Sequence, residues 1–163
     1  MNRRNLLFLF VFFAAAGLAY SNSFSCPFIF DDIPAIVQNP AIHAFAGEGV
    51  PLPVTSRYLV ELSLSLNYAL GGLDVRGYHV FNLIIHMTAG LFLFGIIRRT
   101  FLTERLKGKY GQDAFWIAAA ASLIWLVHPL QTGSVTYVIQ RSESLMALFY
   151  LAALYASSAA RKA

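Results

Sequence analysis

The chain has 163 residues, of which 58% are hydrophobic, 15% aromatic and only 12% charged, with a formal charge of +4. With a mean hydropathy of +0.60, it departs from an ordinary soluble domain and reads as an all-α integral membrane protein, because backbone groups in lipid must be satisfied within helices. The single cysteine excludes an intramolecular disulfide framework and a metal knuckle, and no metal site is evident.

A spanning helix needs about 20 mostly apolar residues, or roughly 17 at the short end. Stretches 5–20, 78–97, 114–130 and 145–160 meet or approach this, giving about four transmembrane helices in one membrane domain over 1–163. The first follows Arg3 and Arg4 and runs into "AAAGLAYS", a pattern that a cleaved signal peptide would also show. A large loop over 21–77 follows, with five of the six prolines. In it, "FIFDDIPAIVQNPAI" sets Asp31 beside Asp32. Adjacent carboxylates at a low-dielectric boundary repel, so one binds its proton more readily, which suits a general base. The alternative is an aspartate capping a helix that begins at "IPAIV", with Pro34 in its first turn.

Further along, "NPAIHAFAGEGVPLP" reads as irregular, broken by Gly and Pro. "SRYLVELSLSLNYAL" suits a strand by its Leu/Ser alternation, or a helix with Leu59, Leu62 and Leu66 on one face. An open strand edge is unfavourable beside lipid, so we expect an interfacial helix, with Arg57 at its start. In the second span, "YHVFNLIIH" places His79, Asn82 and His86 on one helical face that Gly90 continues. Polar side chains at membrane depth turn toward the bundle interior, either for interhelical hydrogen bonds or to wall a polar cavity. The two histidines lie about 10 Å apart along the axis, too far to share a metal.

The loop "RRTFLTERLKGKYGQD" holds five Lys/Arg; with Arg3, Arg4, Arg161 and Lys162, nine of twelve fall on one side. The positive-inside rule makes that side cytoplasmic, with both termini inside and the acidic pair in an extracytoplasmic loop. The basic pI therefore reflects membrane insertion and not nucleic-acid binding. The second outer loop, "HPLQTGSVTYVIQRSES", holds His128 and Arg141. Arg141 suits a phosphate, or snorkels from an interfacial segment.

In order and spacing, "FIFDDIPAIVQNPAI", "SRYLVELSLSLNYALGGLDVRGYHVFNLIIHM" and "LIWLVHPLQTGSVTYVIQRSESLMALFYLAAL" resemble the N-terminal membrane region of the TMTC-like protein O-mannosyltransferases and their bacterial relatives. The resemblance runs from Phe28 to Leu154 and implies part of a GT-C glycosyltransferase fold in a bacterial inner membrane. It implies a polyprenyl-phosphate sugar as donor, a protein Ser/Thr hydroxyl as acceptor, and Asp31 or Asp32 as catalytic base in the first outer loop. Arg57, His79 and Asn82 match the family's "sRp…gyHlvN" pattern, and His128, Pro129 and Arg141 its "HP…R" pattern. For them the resemblance implies a donor-phosphate or structural role, and Arg57, His79, Asn82, His128 and Arg141, together with His86 of the polar stripe, are the candidates for the donor phosphate or a polar cavity. Relatives commonly read "HPLQTEAV" where this chain has Gly133 in place of the Glu. They also continue into further spans and tetratricopeptide repeats, whereas no 34-residue period appears here. On that ground the expectation is a fragment, inactive alone, with a non-catalytic membrane module as the alternative.

Overall fold

A computed structural model describes residues 2–48 and 56–160, and the described chain is helical without strands. Helix α1, Arg3–Tyr20, is capped by Asn2, whose side chain accepts from the Arg4 N–H at 3.4 Å, and it leads into a tight turn over Ser21–Ser25. Helix α2 spans Pro40–Glu48. The irregular reading of 39–53 is corrected over that part. The Asn39 side chain accepts from the Ala41 N–H at 3.0 Å, Pro40 takes the first helical position where no donor is needed, and Ile42 is wholly buried. Positions 49–55, and with them the rest of that reading, lie outside the described residues, as do Arg161 and Lys162.

Helix α3, Tyr58–Gly71, resolves the strand-or-helix ambiguity of the serine-leucine stretch. It buries polar and apolar groups together: Ser63, Ser65 and Asn67 are buried beside Val60 and Leu64, while Leu59, Leu66 and Leu70 are exposed. Gly72, at φ +58, ends it, a conformation that costs glycine little. Helix α4, Val75–Phe101, begins at Asp74, whose carboxylate accepts from the Arg76 N–H at 3.1 Å. The expected span 78–97 lies inside it.

Helices α5, Glu104–Tyr110, and α6, Ala114–Leu126, follow. The single span expected over 114–130 is broken: the chain bends by 51° into 129–136, which includes α7, Thr132–Thr136. Pro129 supplies the reason, since it has no N–H and forces His128 out of the helical region, to φ −67 and ψ 133. Helix α8 spans Arg141–Ala160. By length and composition, α1 with its following turn and α4 can cross a membrane, and α6 with its bent continuation is a third if the pair is one span. Helix α8 has 20 residues, about 30 Å of rise.

Helix α4 forms the spine of this membrane bundle. Phe8, Phe12, Ala16 and Tyr20 of α1 pack on it together with Phe115, Ala119 and Leu126 of α6. Phe8 stacks on Phe94 with ring centres 4.4 Å apart. Two glycines of α4 set the closeness of packing. A Cβ at Gly90 would lie 2.8 Å from the Phe12 ring, and one at Gly95 would lie 2.5 Å from the Tyr155 ring of α8. Small residues at such crossings let membrane helices approach where no hydrophobic effect drives them together. A separate cluster of Ile36, Ile42, Val60, Leu64, Tyr78 and Val138 knits α2 and α3 to the other end of α4, where the two long loops meet.

Candidate functional site

A backbone kink immediately precedes the acidic pair. Phe30 has φ +44, the only positive φ outside glycine among the described residues, and its side chain is 82% exposed. Bulky residues rarely adopt this conformation, and strain of this kind concentrates at functional sites. The kink allows a tight turn, with Asp32 N–H donating to the Ile29 carbonyl at 2.9 Å and Ile33 N–H to that of Phe30 at 3.1 Å. Asp32 is then turned inward, 1% exposed, and Asp31 outward.

Asp32 does not cap the helical turn over Ile33–Val37, so that alternative is corrected. Its Oδ2 accepts from the Ile29 N–H at 3.1 Å, closing the turn. Its Oδ1 accepts from the Ile139 N–H at 2.8 Å, joining the first loop to the second. Burial raises the Asp32 pKa, while the two N–H donors and His79 pull it down. The Asp31 N–H adds a second joint, donating to the Tyr137 hydroxyl at 2.9 Å. The Asp31 carboxylate accepts nothing from the described residues. It lines an open cleft of about 390 Å³ together with Pro34, Arg57, Ile139, Gln140 and Ser142.

The polar stripe of α4 is buried, as its spacing predicts, and it faces the loops. His79 Nε2 donates to the Cys26 carbonyl at 3.0 Å, which leaves its buried Nδ1 without a partner. Asn82 Nδ2 donates to the carbonyls of Val135 and Val138 at 3.3 Å each. His86 Nε2 donates to the Leu126 carbonyl at 2.9 Å, its ring stacked on Trp125 with centres 4.6 Å apart.

Arg141 is sealed inside, at 0% exposed. Its Nε donates to Asn82 Oδ1 at 2.7 Å, Nη1 to the Ser63 hydroxyl at 3.2 Å, and Nη2 to the Tyr78 carbonyl at 3.1 Å. Its guanidinium also lies 4.7 Å from the Phe81 ring centre. It is therefore neither a snorkelling side chain nor one lining the Asp31 cleft. His128 is exposed and spends Nδ1 on the Leu130 N–H at 3.2 Å.

Of the sequence-derived candidates, then, the fold brings Asp31 and Arg57 to one cleft. Asp32, His79, Asn82 and Arg141 lie beneath it as a framework. Tyr137 and Ser63 complete that framework and went unnoticed in the sequence. Tyr137 gives no local signal, but Ser63 belongs to the serine alternation whose inward face α3 reveals.

The chain is 33% identical to Protein O-mannosyl-transferase Tmtc3 of Drosophila melanogaster, over 96% of this chain and 20% of that protein. It is 32% identical to the human Protein O-mannosyl-transferase TMTC3 over 82% of this chain and 15% of that one. It is 33% identical to Protein O-mannosyl-transferase F38B6.6 of Caenorhabditis elegans over 93% and 22%. No family model matches the chain, and no solved structure does. The chain spans between 15% and 22% of the length of these curated relatives. Over nearly its whole sequence, this membrane chain is a homologue of the TMTC protein O-mannosyl-transferases.

Proposed function

We propose that this chain forms the N-terminal membrane part of a glycosyltransferase that moves a sugar from a polyprenyl phosphate to a protein hydroxyl, with Asp31 as the base. The observation that carries this reading is the Asp31 carboxylate, unbonded by the described residues, in an open cleft beside Arg57. The relatives' names, protein O-mannosyl-transferases, supply the reaction class. Asp31 takes the proton of an acceptor Ser or Thr as its oxygen bonds to the anomeric carbon. The bond from that carbon to the lipid-phosphate oxygen breaks, and the departing phosphate keeps the electron pair. Arg57 answers the charge that develops there. In this reading the cleft faces the extracytoplasmic side, α3 lies in the interface, and α8 completes a four-span topology.

The test uses the complete protein in membranes, with polyprenyl-phosphate mannose and Ser/Thr peptides. Asp31→Asn should reduce transfer about 100- to 10,000-fold, the usual contribution of a positioned base. Transfer at the wild-type rate would end the assignment. A non-catalytic membrane module is favoured by one feature: Gly133 holds no acid, and no described residue comes within 4 Å of a Cβ placed there. An active wild-type protein with an impaired Asp31 variant rules the module out.

A further inference from the structure

The opposite end of the bundle holds a second cavity, of about 300 Å³, between the start of α1 and the ends of α4 and α8. Its floor is apolar, built on Phe8, Phe94 and Phe115, and its rim carries Asn5, Arg98 and Arg99. No carboxylate among the described residues lines it. Arg4 stands at the same end with its guanidinium 4.3 Å from the Phe115 ring centre and its Nε buried without a partner. Arg99 is fixed by Nη1 to the Tyr155 carbonyl at 2.9 Å and the Ser158 hydroxyl at 3.3 Å, and it lies 3.7 Å from the Tyr155 ring centre. Arg98 is exposed, and its side chain is engaged by none of the described residues.

The depth of this cavity selects its occupant. From Val75 to Arg98 the rise of α4 is about 35 Å, close to the roughly 30 Å of a hydrocarbon core. With Val75 placed at one headgroup level, this length brings the arginines to the phosphates of the other leaflet, above a floor at the level of acyl chains. Desolvated guanidinium groups pair well with phosphate oxygens.

We propose that this cavity binds the phosphate headgroup of an anionic phospholipid from the adjoining leaflet, with the start of an acyl chain against Phe8 and Phe94. The test places the complete protein in nanodiscs of phosphatidylcholine, with and without phosphatidylglycerol, and reads the lipid retained by native mass spectrometry alongside the unfolding temperature. The expected result is preferential retention of phosphatidylglycerol with a raised unfolding temperature. Arg98→Gln should lower that preference about fivefold, the share of one basic residue at an anionic surface, and Arg4→Gln should lower it similarly. Arg76→Gln, at the other end of α4, should leave it unchanged. Arg98 has no side-chain partner among the described residues, so its variant should fold. Equal retention of both lipids would overturn the proposal. So would an equal loss in Arg76→Gln, which would mean general surface charge. A matching thermal shift from inorganic phosphate alone would also overturn it, as that marks a free-anion site.

Discussion

Asparagine at position 32 should destabilise this protein, whereas the same change at position 31 should not. Asp32 uses both carboxylate oxygens as acceptors, from the Ile29 N–H at 3.1 Å and the Ile139 N–H at 2.8 Å. Asparagine can serve one of them and must turn its own NH₂ toward the other. That leaves one backbone donor unpaired at a site where the side chain is 1% exposed, a cost of roughly 1–3 kcal/mol. Asp31 has no such bonds to lose, so Asp31→Asn should unfold with the wild type while its transfer activity falls. Thermal unfolding and limited proteolysis of the two variants in detergent, beside activity, measure the split. The pH dependence adds a check. Because burial raises the Asp32 pKa, its native state favours the proton. Its contribution to stability is greatest below the unfolded value of about 4 and declines as pH rises through the folded one. Asparagine cannot titrate, so this decline should be absent from the Asp32→Asn variant. Wild-type stability in Asp32→Asn would refute the inward, load-sharing role, and equal stability losses in both variants would refute the division between the two acids.

Arg141→Ala strips Asn82 Oδ1, the Ser63 hydroxyl and the Tyr78 carbonyl of a buried donor; it should cost roughly 1–3 kcal/mol for each acceptor left unpaired, read as lower folded yield and unfolding temperature. Gly95→Ala drives a methyl into the Tyr155 ring and should cost about 1–3 kcal/mol in the same measurements. Gly133→Glu meets open space, so its unfolding temperature should match the wild type; a marked drop would show that the position is packed. For orientation, the exposed native Cys26 should react with a membrane-impermeant maleimide from outside the cell, and Lys107→Cys in a Cys26→Ser background only after permeabilisation; the reverse pattern would turn the proposed site to the wrong compartment.

What could be read from the sequence is what local spacing determines. The apolar stretches became helices, and the i, i+3, i+7 placement of His79, Asn82 and His86 fixed their common inward face before any partner was known. The break after α6 was visible as Pro129, although its consequence, a bend and not an end, depends on how 129–136 repacks. Helix α2 escaped because Gly and Pro suggested a loop, whereas Pro40 at a first position and the Asn39 cap favour a start. Arg141 was misread for a different reason. A charge at the end of an apolar run usually reaches water, and its burial rests on Asn82, 59 positions earlier, and Ser63, 78 positions earlier. The roles of the two aspartates rest likewise on Ile139, 107 positions away from Asp32, and on a backbone angle at Phe30 that no composition announces.

The distribution of polar groups at the loop end explains why two acids stand together. Ordering loops beside lipid leaves backbone N–H and C=O groups that little water can reach, and each needs a partner. His79, Asn82, His86 and Arg141 answer carbonyls of Cys26, Val135, Val138, Leu126 and Tyr78. Those side chains donate, so the remaining N–H groups of Ile29 and Ile139 need an acceptor, and a single carboxylate reaches both. That acceptor, Asp32, has both oxygens turned toward backbone donors inside the protein, where the side chain is sealed from the cleft. It is therefore poorly placed to exchange protons with a ligand. In the proposed reading, the carboxylate of the adjacent residue, turned outward, supplies lone pairs to the cleft. The strain at Phe30 and the burial of Asp32 both favour other conformations, and both persist because the two loops are tied at Ile139 and Tyr137. On the proposed reading, the outward acid is thus preorganised by the inward one.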